Sequence, residues 1–289
     1  MSLINIRTFR VFTITIVILI CSILPAWSQE YDIQTGMDLN WETGDIIINT
    51  EAFIPASTEN LTTARFRISE FIDRSLTEIA AESLDGLYLD SMKTVQNFLK
   101  ENQTGMTKFD SLSYSGRKVS SSLSLDLSSV KNIYEYNIYT DLMPILISHK
   151  NPAPVPPMLN FEPTASFSGI VIYAADPLPL YGEAETGRLN PAVFPSIYDE
   201  NMNIVASARM TEPEYLHRWG FTGYTSTIDP EIFENRVGLY PFYTTASALF
   251  GNNRTDILIS EEAAQKILYN EANHRLIREG RILIIVAEE

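Results

Sequence analysis

The folded part of the chain begins with alternating apolar and polar positions, a pattern typical of β-strands. Two apolar-rich runs, at 37–41 and 45–52, flank the glycine-containing segment 42–44. This arrangement predicts a β-hairpin. We interpret Trp41, at the end of the first run, as a core residue rather than part of a ligand-binding surface.

From Asn60 onward the pattern changes to that of an amphipathic helix. Apolar residues recur at steps of three and four positions until the Asp-Gly pair at 85–86, which predicts the end of this helix. A short strand at 87–89 and a second helix ending near Asn102 are predicted next. The polar stretch 103–116 is predicted to be a loop.

Two further strands are predicted after this loop. Serine and apolar residues alternate from 119 to 127, and isoleucine and tyrosine dominate 133–139. The tyrosine stripe of the second strand could stack on sugars. At strand spacing, however, such a stripe is more often amphipathic sheet packing with each hydroxyl near water, which is the interpretation we favour.

Proline then marks a boundary in the chain. Four prolines lie between 152 and 157, which excludes a helix or a central strand and favours an extended spacer. A proline-rich ligand for a partner domain is the alternative to a connector. We predict a signal peptide (1–28), an N-terminal α+β domain (29–150), a proline-rich linker (151–165) and a β-rich C-terminal domain (166–289).

The C-terminal domain is predicted to be organised around the stretch 168–205. This stretch opens with a buried strand at 169–174 and closes with a tight turn at 199–201. Further short strands are predicted in segments separated by proline, glycine and asparagine: 203–209, 223–228, 237–240, 243–249 and 255–260.

A packing helix and a last strand complete this domain. Ser260 is a natural N-cap for the helix, and Gly280 ends it. The continuous apolar run 281–286 predicts a central strand that is buried on both faces. The predicted fold class is α+β, with an N-terminal sheet and two helices, the linker, and a β-rich C-terminal domain with one packing helix.

The first 28 residues have the pattern of a secretory signal peptide. Arg7 and Arg10 precede an apolar run at 11–24, and the small residues Ala26 and Ser28, separated by one position, indicate cleavage before Gln29. The run is short for a membrane span, so an uncleaved anchor is the less favoured alternative. The single cysteine, Cys21, lies inside this run, and we rank a lipid anchor there second because a small residue does not precede it.

The charge balance disfavours two classes of partner. Removal of the signal peptide leaves 19 basic and 36 acidic residues, a formal charge of −17. Such a surface repels phosphate backbones, which argues against nucleic-acid binding, and it equally disfavours a broad contact with anionic lipid. Solubility is the simpler explanation for the charge.

Recognisable catalytic chemistry is missing from the sequence. The three histidines, His149, His217 and His274, lack metal-ligand spacing, so we predict no metal and no cofactor. Phosphate loops, nucleophile elbows and zinc-protease motifs are also missing. The acidic cluster 199–201 lacks the ligand pattern of a calcium loop and is interpreted as a turn.

A family resemblance comes from short segments in a shared order. The segments 168–173, 190–201, 236–241, 255–267 and 279–281 together resemble exported bacterial envelope proteins of the FlgP-like flagellar lipoprotein group. The resemblance implies an envelope location and mainly structural roles for its motif residues. These are Gly169, Pro191, Ala192, Pro195, Asp199, Arg236, Gly238, Pro241, Asp256, Ser260 and Gly280.

Three functions are therefore considered. The first is a non-enzymatic periplasmic or envelope protein that acts through protein–protein contacts, with flagellar or other envelope proteins or with itself, and the excursion 176–189 is its candidate contact region. The second is a periplasmic module that binds a glycan or another small ligand. The third is a hydrolase, which would require two converging buried carboxylates in one cleft.

Overall fold

Two main β-sheets with associated helices form most of the described part of the protein. A computed structural model describes residues 31–55, 60–114, 117–156, 164–227, 229 and 233–288. Within these residues, a four-stranded sheet comes from the N-terminal half, and a seven-stranded sheet with a small two-stranded one comes from the C-terminal half. The predicted α+β fold class is confirmed.

The N-terminal sheet is antiparallel in the order β1-β2-β4-β3. The predicted hairpin is confirmed, because Asn40 at the end of the first strand pairs with Asp45 at the start of the second. Alternate residues of the second strand, including Ile46 and Ile48, are buried on the inner face. The strands are β1 (Ile33–Asn40), β2 (Asp45–Phe53), β3 (Arg117–Leu123) and β4 (Ser129–Asn137).

Helices accompany this sheet. Asn60 caps the first of them, since its side-chain oxygen accepts hydrogen bonds from the N–H groups of Thr62 and Thr63. Tyr134 in β4 connects the sheet to this helix, because its hydroxyl donates to the carboxylate of Asp73 at 2.7 Å. The helices are α1 (Leu61–Arg74), α2 (Leu76–Ser83), α3 (Val95–Glu101), α4 (Gln103–Tyr114) and, after a π-helical turn at Ile138–Leu142, α5 (Met143–Leu146).

The predicted loop at 103–116 is wrong, because most of this stretch forms helix α4. Its sequence is polar, but Phe109 is 1% exposed and its ring lies 6.5 Å from that of Tyr136. The side chain of Asn102 also accepts a hydrogen bond from the N–H of Gly105 in the first turn. Packing and capping therefore outweigh a weak helical periodicity.

The two strands predicted after this helix end earlier in the structure than the sequence pattern predicts. Strand β3 stops at Leu123, and the following turn contains Leu125, which is fully exposed, and Leu127, which has a positive φ of 60°. Strand β4 ends at Asn137, so Tyr139 lies outside the sheet. The alternation of serine and leucine therefore extends beyond the end of strand β3, and it predicts too long a strand.

The C-terminal sheet has the order β10-β13-β5-β11-β12-β8-β9. Four neighbouring strands, β10, β13, β5 and β11, run parallel, whereas β12 is antiparallel to β11. The strands are β5 (Ile170–Tyr173), β6 (Leu178–Pro179), β7 (Thr186–Gly187), β8 (Ser196–Asp199), β9 (Ile204–Ser207), β10 (Thr222–Thr225), β11 (Phe242–Phe250), β12 (Asp256–Ile259) and β13 (Ile282–Ile285).

The last strand lies where its apolar run predicted. Strand β13 is flanked by β5 and β10, and its four residues are at most 5% exposed. The predicted single helix after Ser260 is instead two helices, because Asn270 caps a second one. The C-terminal helices are α6 (Pro213–Trp219), α7 (Glu234–Val237), α8 (Glu261–Leu268) and α9 (Glu271–Arg278).

The strand predicted at 237–240 is wrong. Arg236 and Val237 end the short helix α7, and Gly238 follows with a positive φ of 70°. A Cβ atom at this glycine would lie 2.5 Å from the Cβ of Ser168, so both the backbone conformation and the available space require glycine.

The two halves pack against each other in one compact unit, Ile33–Glu289. The segment 88–91 of the N-terminal half contributes main-chain hydrogen bonds to this contact. The carbonyl of Tyr88 accepts from the N–H of Val193 at 3.0 Å, and that of Leu89 accepts from the N–H of Phe194 at 2.7 Å. The carbonyl of Ser91 accepts from the N–H of Asn253 at 3.0 Å.

The described part of the predicted linker, 151–156 and 164–165, contains no helix or strand, while 157–163 lies outside the described residues. The N–H of Ala153 donates to the carbonyl of Arg209 at 2.7 Å, so this segment runs against the C-terminal half. The domain boundaries at 150 and 166 stay predictions. The predicted signal peptide and Cys21 also lie outside the described residues.

None of the helices in the described residues is both long and apolar enough to cross a lipid bilayer.

The contact between the halves predicts that Gly251→Ala is destabilising. Gly251 has a φ of 87°, and an added Cβ would overlap the Cβ of Ser91. We expect a loss of about 2–4 kcal/mol in the free energy of unfolding, measured by urea denaturation, because backbone strain and steric overlap act together.

Gly182→Ala is the matched control, since Gly182 has a φ of 82° but no atom within 4 Å of the position that an added Cβ would take. Gly182→Ala should lower the free energy of unfolding by only about 1 kcal/mol, because the strain of alanine at a positive φ acts there without steric overlap. The additional substitution Ser91→Gly should recover part of the difference, because it removes the overlapping Cβ but also the side-chain hydrogen bond of Ser91 to Asp256. Equal losses in the two alanine variants would show that the contact with Ser91 is not tight.

Candidate functional site

A cleft of about 690 Å³ lies at the carboxyl ends of three parallel strands, β5, β10 and β13. In sheets of parallel strands, ligands commonly bind outside this edge. The N-terminal half supplies one wall through its first hairpin turn, and the loop before β8 supplies another. The cleft is lined by residues 39–42, 174–175, 188–191, 224–226 and 286–288.

The hairpin turn presents Trp41 and Glu42 to the cleft. The side-chain oxygen of Asn40 accepts hydrogen bonds from the N–H groups of Glu42 at 2.9 Å and Thr43 at 3.3 Å. Gly44 closes the turn with a φ of 77° and donates its N–H to the carbonyl of Asn40 at 2.8 Å. The side chain at position 40 therefore fixes the path of the two residues that follow it.

Tyr224 forms the inner part of the cleft. It is 2% exposed, and its ring packs edge to face against Trp41 with a centroid distance of 5.1 Å. Its hydroxyl donates to the carbonyl of Ala192 at 2.9 Å and accepts from the N–H of the same residue at 3.1 Å. Burial raises the pKa of Tyr224, so its hydroxyl stays protonated at neutral pH.

A side-chain hydrogen bond joins the two halves at the cleft. The hydroxyl of Thr225, at the end of β10, donates to one carboxylate oxygen of Glu42 at 2.9 Å. The second oxygen of Glu42 accepts no hydrogen bond from a described residue. Glu288 is an exposed second carboxylate of the lining.

Arg188 is the basic residue of the lining. It is exposed, and its guanidinium makes no ion pair or hydrogen bond with any described residue. Its neighbour Asn190 is fixed, because its amide donates to the carbonyl of Asn253 at 2.9 Å and its N–H donates to the carbonyl of Arg254 at 3.1 Å. The loop is thus anchored while the cation remains available to a ligand.

The residues singled out by sequence motif are divided between two edges of the sheet. Pro191 and Ala192 are at the cleft. Asp256 and Pro195 lie at the starts of β12 and β8, which run opposite to β11 and therefore begin at the same edge. The remaining motif residues lie at or near the opposite edge: Gly169, Asp199, Arg236, Gly238, Pro241, Ser260 and Gly280.

Arg236 has a structural role at that opposite edge. Its guanidinium donates to three carbonyls, those of Ile282 at 2.9 Å, Trp219 at 2.7 Å and Gly220 at 3.1 Å. Two of these carbonyls end helix α6, so the cation also lies at the negative end of a helix. Burial lowers the pKa of Arg236 to about 10, and the side chain stays charged at neutral pH.

The close approaches of two glycines explain their identity. A Cβ at Gly169 would lie 2.5 Å from the backbone of Val237, and one at Gly280 would lie 2.7 Å from the carbonyl of Gly220. Ser260 caps helix α8 as predicted, with its hydroxyl accepting from the N–H of Ala263 at 3.2 Å. The identity of these residues is therefore explained by backbone geometry and helix capping rather than by contact with a ligand.

Asp199 forms the predicted turn. Its carboxylate accepts from the N–H groups of Asn201 at 2.9 Å and Asn203 at 2.8 Å, and also from the side-chain amide of Asn203. Among the described residues, no group of three or more histidine, cysteine, aspartate or glutamate side chains is placed to hold a metal ion.

The tyrosine stripe of β4 is packing, as favoured, but the predicted exposure of its hydroxyls is wrong. Tyr134 and Tyr136 are 1% and 4% exposed. The hydroxyl of Tyr134 is satisfied by Asp73 and Asn132, and burial raises the pKa of both tyrosines. These rings are therefore not available for sugar stacking.

Trp41, by contrast, lines the cleft, so its interpretation as a core residue is wrong. Its position at a hairpin turn is the sequence signal that could have indicated an accessible tryptophan, since turns lie at the surface. Arg188 lies inside the excursion 176–189 that the sequence marked for partner contacts, but its own role was not predicted.

The geometry defines a two-part α+β protein with an open cleft where the hairpin of one sheet meets the strand ends of the other. Two family models match the chain. Residues 32–145 match the N-terminal domain of Treponema pallidum Tp0624, and residues 169–288 match the second domain of that protein. No curated protein matches the chain.

These matches overturn the FlgP-like resemblance, because they point to a different family. The segments that suggested it are short and satisfy general structural needs. Gly169 is required by a close backbone approach, and Arg236 with Gly238 forms a helix end. Unrelated sheets with the same needs can carry similar short motifs.

Asp256 provides a pH-dependent test of the packing beside the cleft. It is 2% exposed, and burial raises the pKa of this carboxyl to about 6, although the N–H of Ser196 donates to it at 2.9 Å. The folded protein binds this proton more tightly than the unfolded chain. The contribution of Asp256 to the free energy of unfolding is therefore largest below about pH 4 and falls as the pH rises through about 6.

Asp256→Asn removes this titration. Urea denaturation should find the variant similar to wild type at about pH 4 and more stable by roughly 3 kcal/mol at pH 7, a difference that follows from the pKa shift. The control Asp176→Asn, at an exposed carboxylate, should follow the wild-type profile. A constant difference between Asp256→Asn and wild type across this range would contradict the assignment.

Proposed function

We propose that the protein is exported and binds a small polar ligand in the cleft at the strand ends. The observation that supports this proposal most directly is the cleft itself. Its volume of about 690 Å³ lies within the usual range for small-molecule sites, roughly 300–1,000 Å³. Its position at the carboxyl ends of parallel strands is the edge where such sites commonly occur.

The lining also has the composition of a binding site. Trp41 offers an aromatic surface, while Arg188 and one oxygen of Glu42 retain unused hydrogen-bonding capacity toward the described residues. Such a combination of apolar surface with a few polar groups orients a ligand. Export is the part of the proposal that rests on the signal-peptide pattern of residues 1–28.

Binding without catalysis is the simpler activity for this cleft. A hydrolase with paired carboxylates needs one acid kept protonated, usually by burial. The carboxylate residues of the lining, Glu42 and Glu288, are both exposed. We therefore propose a binding protein rather than an enzyme.

Protein–protein contact is a second candidate function, which a different surface favours. Leu239, Tyr240 and Tyr243 are 68%, 77% and 55% exposed. The first two lie just before β11, and Tyr243 is the second residue of that strand. Large exposed apolar residues that occur together are typical of interaction sites. Sedimentation of wild type and of Leu239→Ser/Tyr240→Ser would detect self-association through this surface.

Substitution of Trp41 tests the primary proposal. A panel of small neutral and charged molecules should include at least one that raises the melting temperature of the wild-type protein, because a ligand specific for the folded state stabilises it. Trp41→Ala should weaken that ligand about tenfold by titration calorimetry, since it removes the aromatic surface of the cleft.

Phe66→Ala is the control, because it removes an exposed aromatic ring that lies outside both the cleft lining and the surface at 239–243. Its affinity should equal that of wild type. Equal weakening by both substitutions, or a complete lack of stabilising molecules in the panel, would reject the cleft as the binding site.

A further inference from the structure

The free hydrogen-bonding groups of the cleft include both donors and acceptors. Arg188 can donate up to five hydrogen bonds and accepts none, while the second oxygen of Glu42 only accepts. Ser226, exposed at the end of the cleft, can do both. A ligand that satisfies all three must itself donate and accept, and hydroxyl groups have this capacity.

The charges of the lining disfavour a ligand with a net charge. The lining contains one guanidinium, that of Arg188, and two carboxylates, those of Glu42 and Glu288. An anionic ligand would be attracted by Arg188 but repelled by Glu42 and Glu288. A cationic ligand would be attracted by the two carboxylates but repelled by the guanidinium. The whole chain carries a formal charge of −15, which weakens the case for an anion further.

Trp41 adds an apolar surface to this polar lining. The edge-to-face contact with Tyr224 holds its indole ring at 65° to the tyrosine ring. Tyr224 is in turn fixed by two hydrogen bonds to Ala192. A rigid aromatic surface beside planar polar groups suits a molecule that has apolar C–H faces and hydroxyl edges.

We propose that the cleft binds a neutral saccharide, with one sugar face on Trp41 and its hydroxyls between Arg188 and Glu42. This assignment rests on the proposed ligand-binding function and names the chemical class of the ligand. A volume of about 690 Å³ leaves room for more than one sugar ring, so an oligosaccharide fits the cleft better than a monosaccharide.

The test compares three ligand classes on the full chain by titration calorimetry. The neutral probes are maltotriose, cellotriose and chitotriose; trigalacturonate is the anionic probe, and the tripeptide Gly-Gly-Trp is the zwitterionic one. A neutral trisaccharide should bind most tightly, and its affinity should change less than twofold between low and high salt, because screening acts only on charged partners.

Two substitutions of Arg188 separate hydrogen bonding from charge. Arg188→Gln keeps a donor and should weaken the neutral trisaccharide only about threefold, whereas Arg188→Ala should weaken it about tenfold or more. Arg209→Gln is the control, because Arg209 is exposed and does not line this cleft. Its affinity should match wild type.

Three outcomes decide the inference. Preferred binding of a neutral trisaccharide with this ranking of variants supports it. Preferred binding of trigalacturonate or the tripeptide, with strong salt dependence and loss in Arg188→Gln, overturns the saccharide assignment but keeps the proposed function. Failure of every probe to bind overturns the saccharide assignment, and an unresponsive wider small-molecule panel would reject the proposed function as well.

Discussion

The structure depends on one aromatic ring held between two glycines. The ring of Tyr139, just after the last strand of the first sheet, lies where a Cβ at Gly44 would approach it to 2.5 Å and a Cβ at Gly220 to 2.8 Å. Both glycines have a φ of 77°. Gly44 ends the first hairpin turn and Gly220 precedes β10, so this contact sets the distance between the two sheets. Any larger residue at either position would push them apart.

The cleft follows from this contact. Once the hairpin turn is held against β10, Trp41 reaches Tyr224 and Glu42 reaches Thr225. The second contact between the halves, through segment 88–91, positions Val193 and Phe194 and thereby the loop that carries Arg188. The cleft is thus a product of the interface between the sheets. Residues from both halves are needed to complete it, although neither half contains a recognisable catalytic motif.

The sequence patterns predict the structure correctly where a residue's role is local. The hairpin, the cap at Ser260 and the buried strand β13 follow from periodicity and from turn and capping chemistry. The predictions are wrong where packing between distant segments of the chain determines the structure or the role of a residue. Helix α4 depends on burial of Phe109, and the role of Trp41 depends on a sheet almost two hundred residues away. The motif residues also misled the family assignment, because constraints such as the close approach at Gly169 are common to many folds.

Hydrogen–deuterium exchange of the wild-type protein, with and without a saturating amount of its tightest ligand, tests the central claim most directly. The claim is that the ligand binds where the two halves meet. We predict slower exchange in peptides that contain 39–42, 188–191 and 224–226, which come from both sheets. Protection confined to one half of the chain, or located away from these three segments, would contradict a binding site built by the interface.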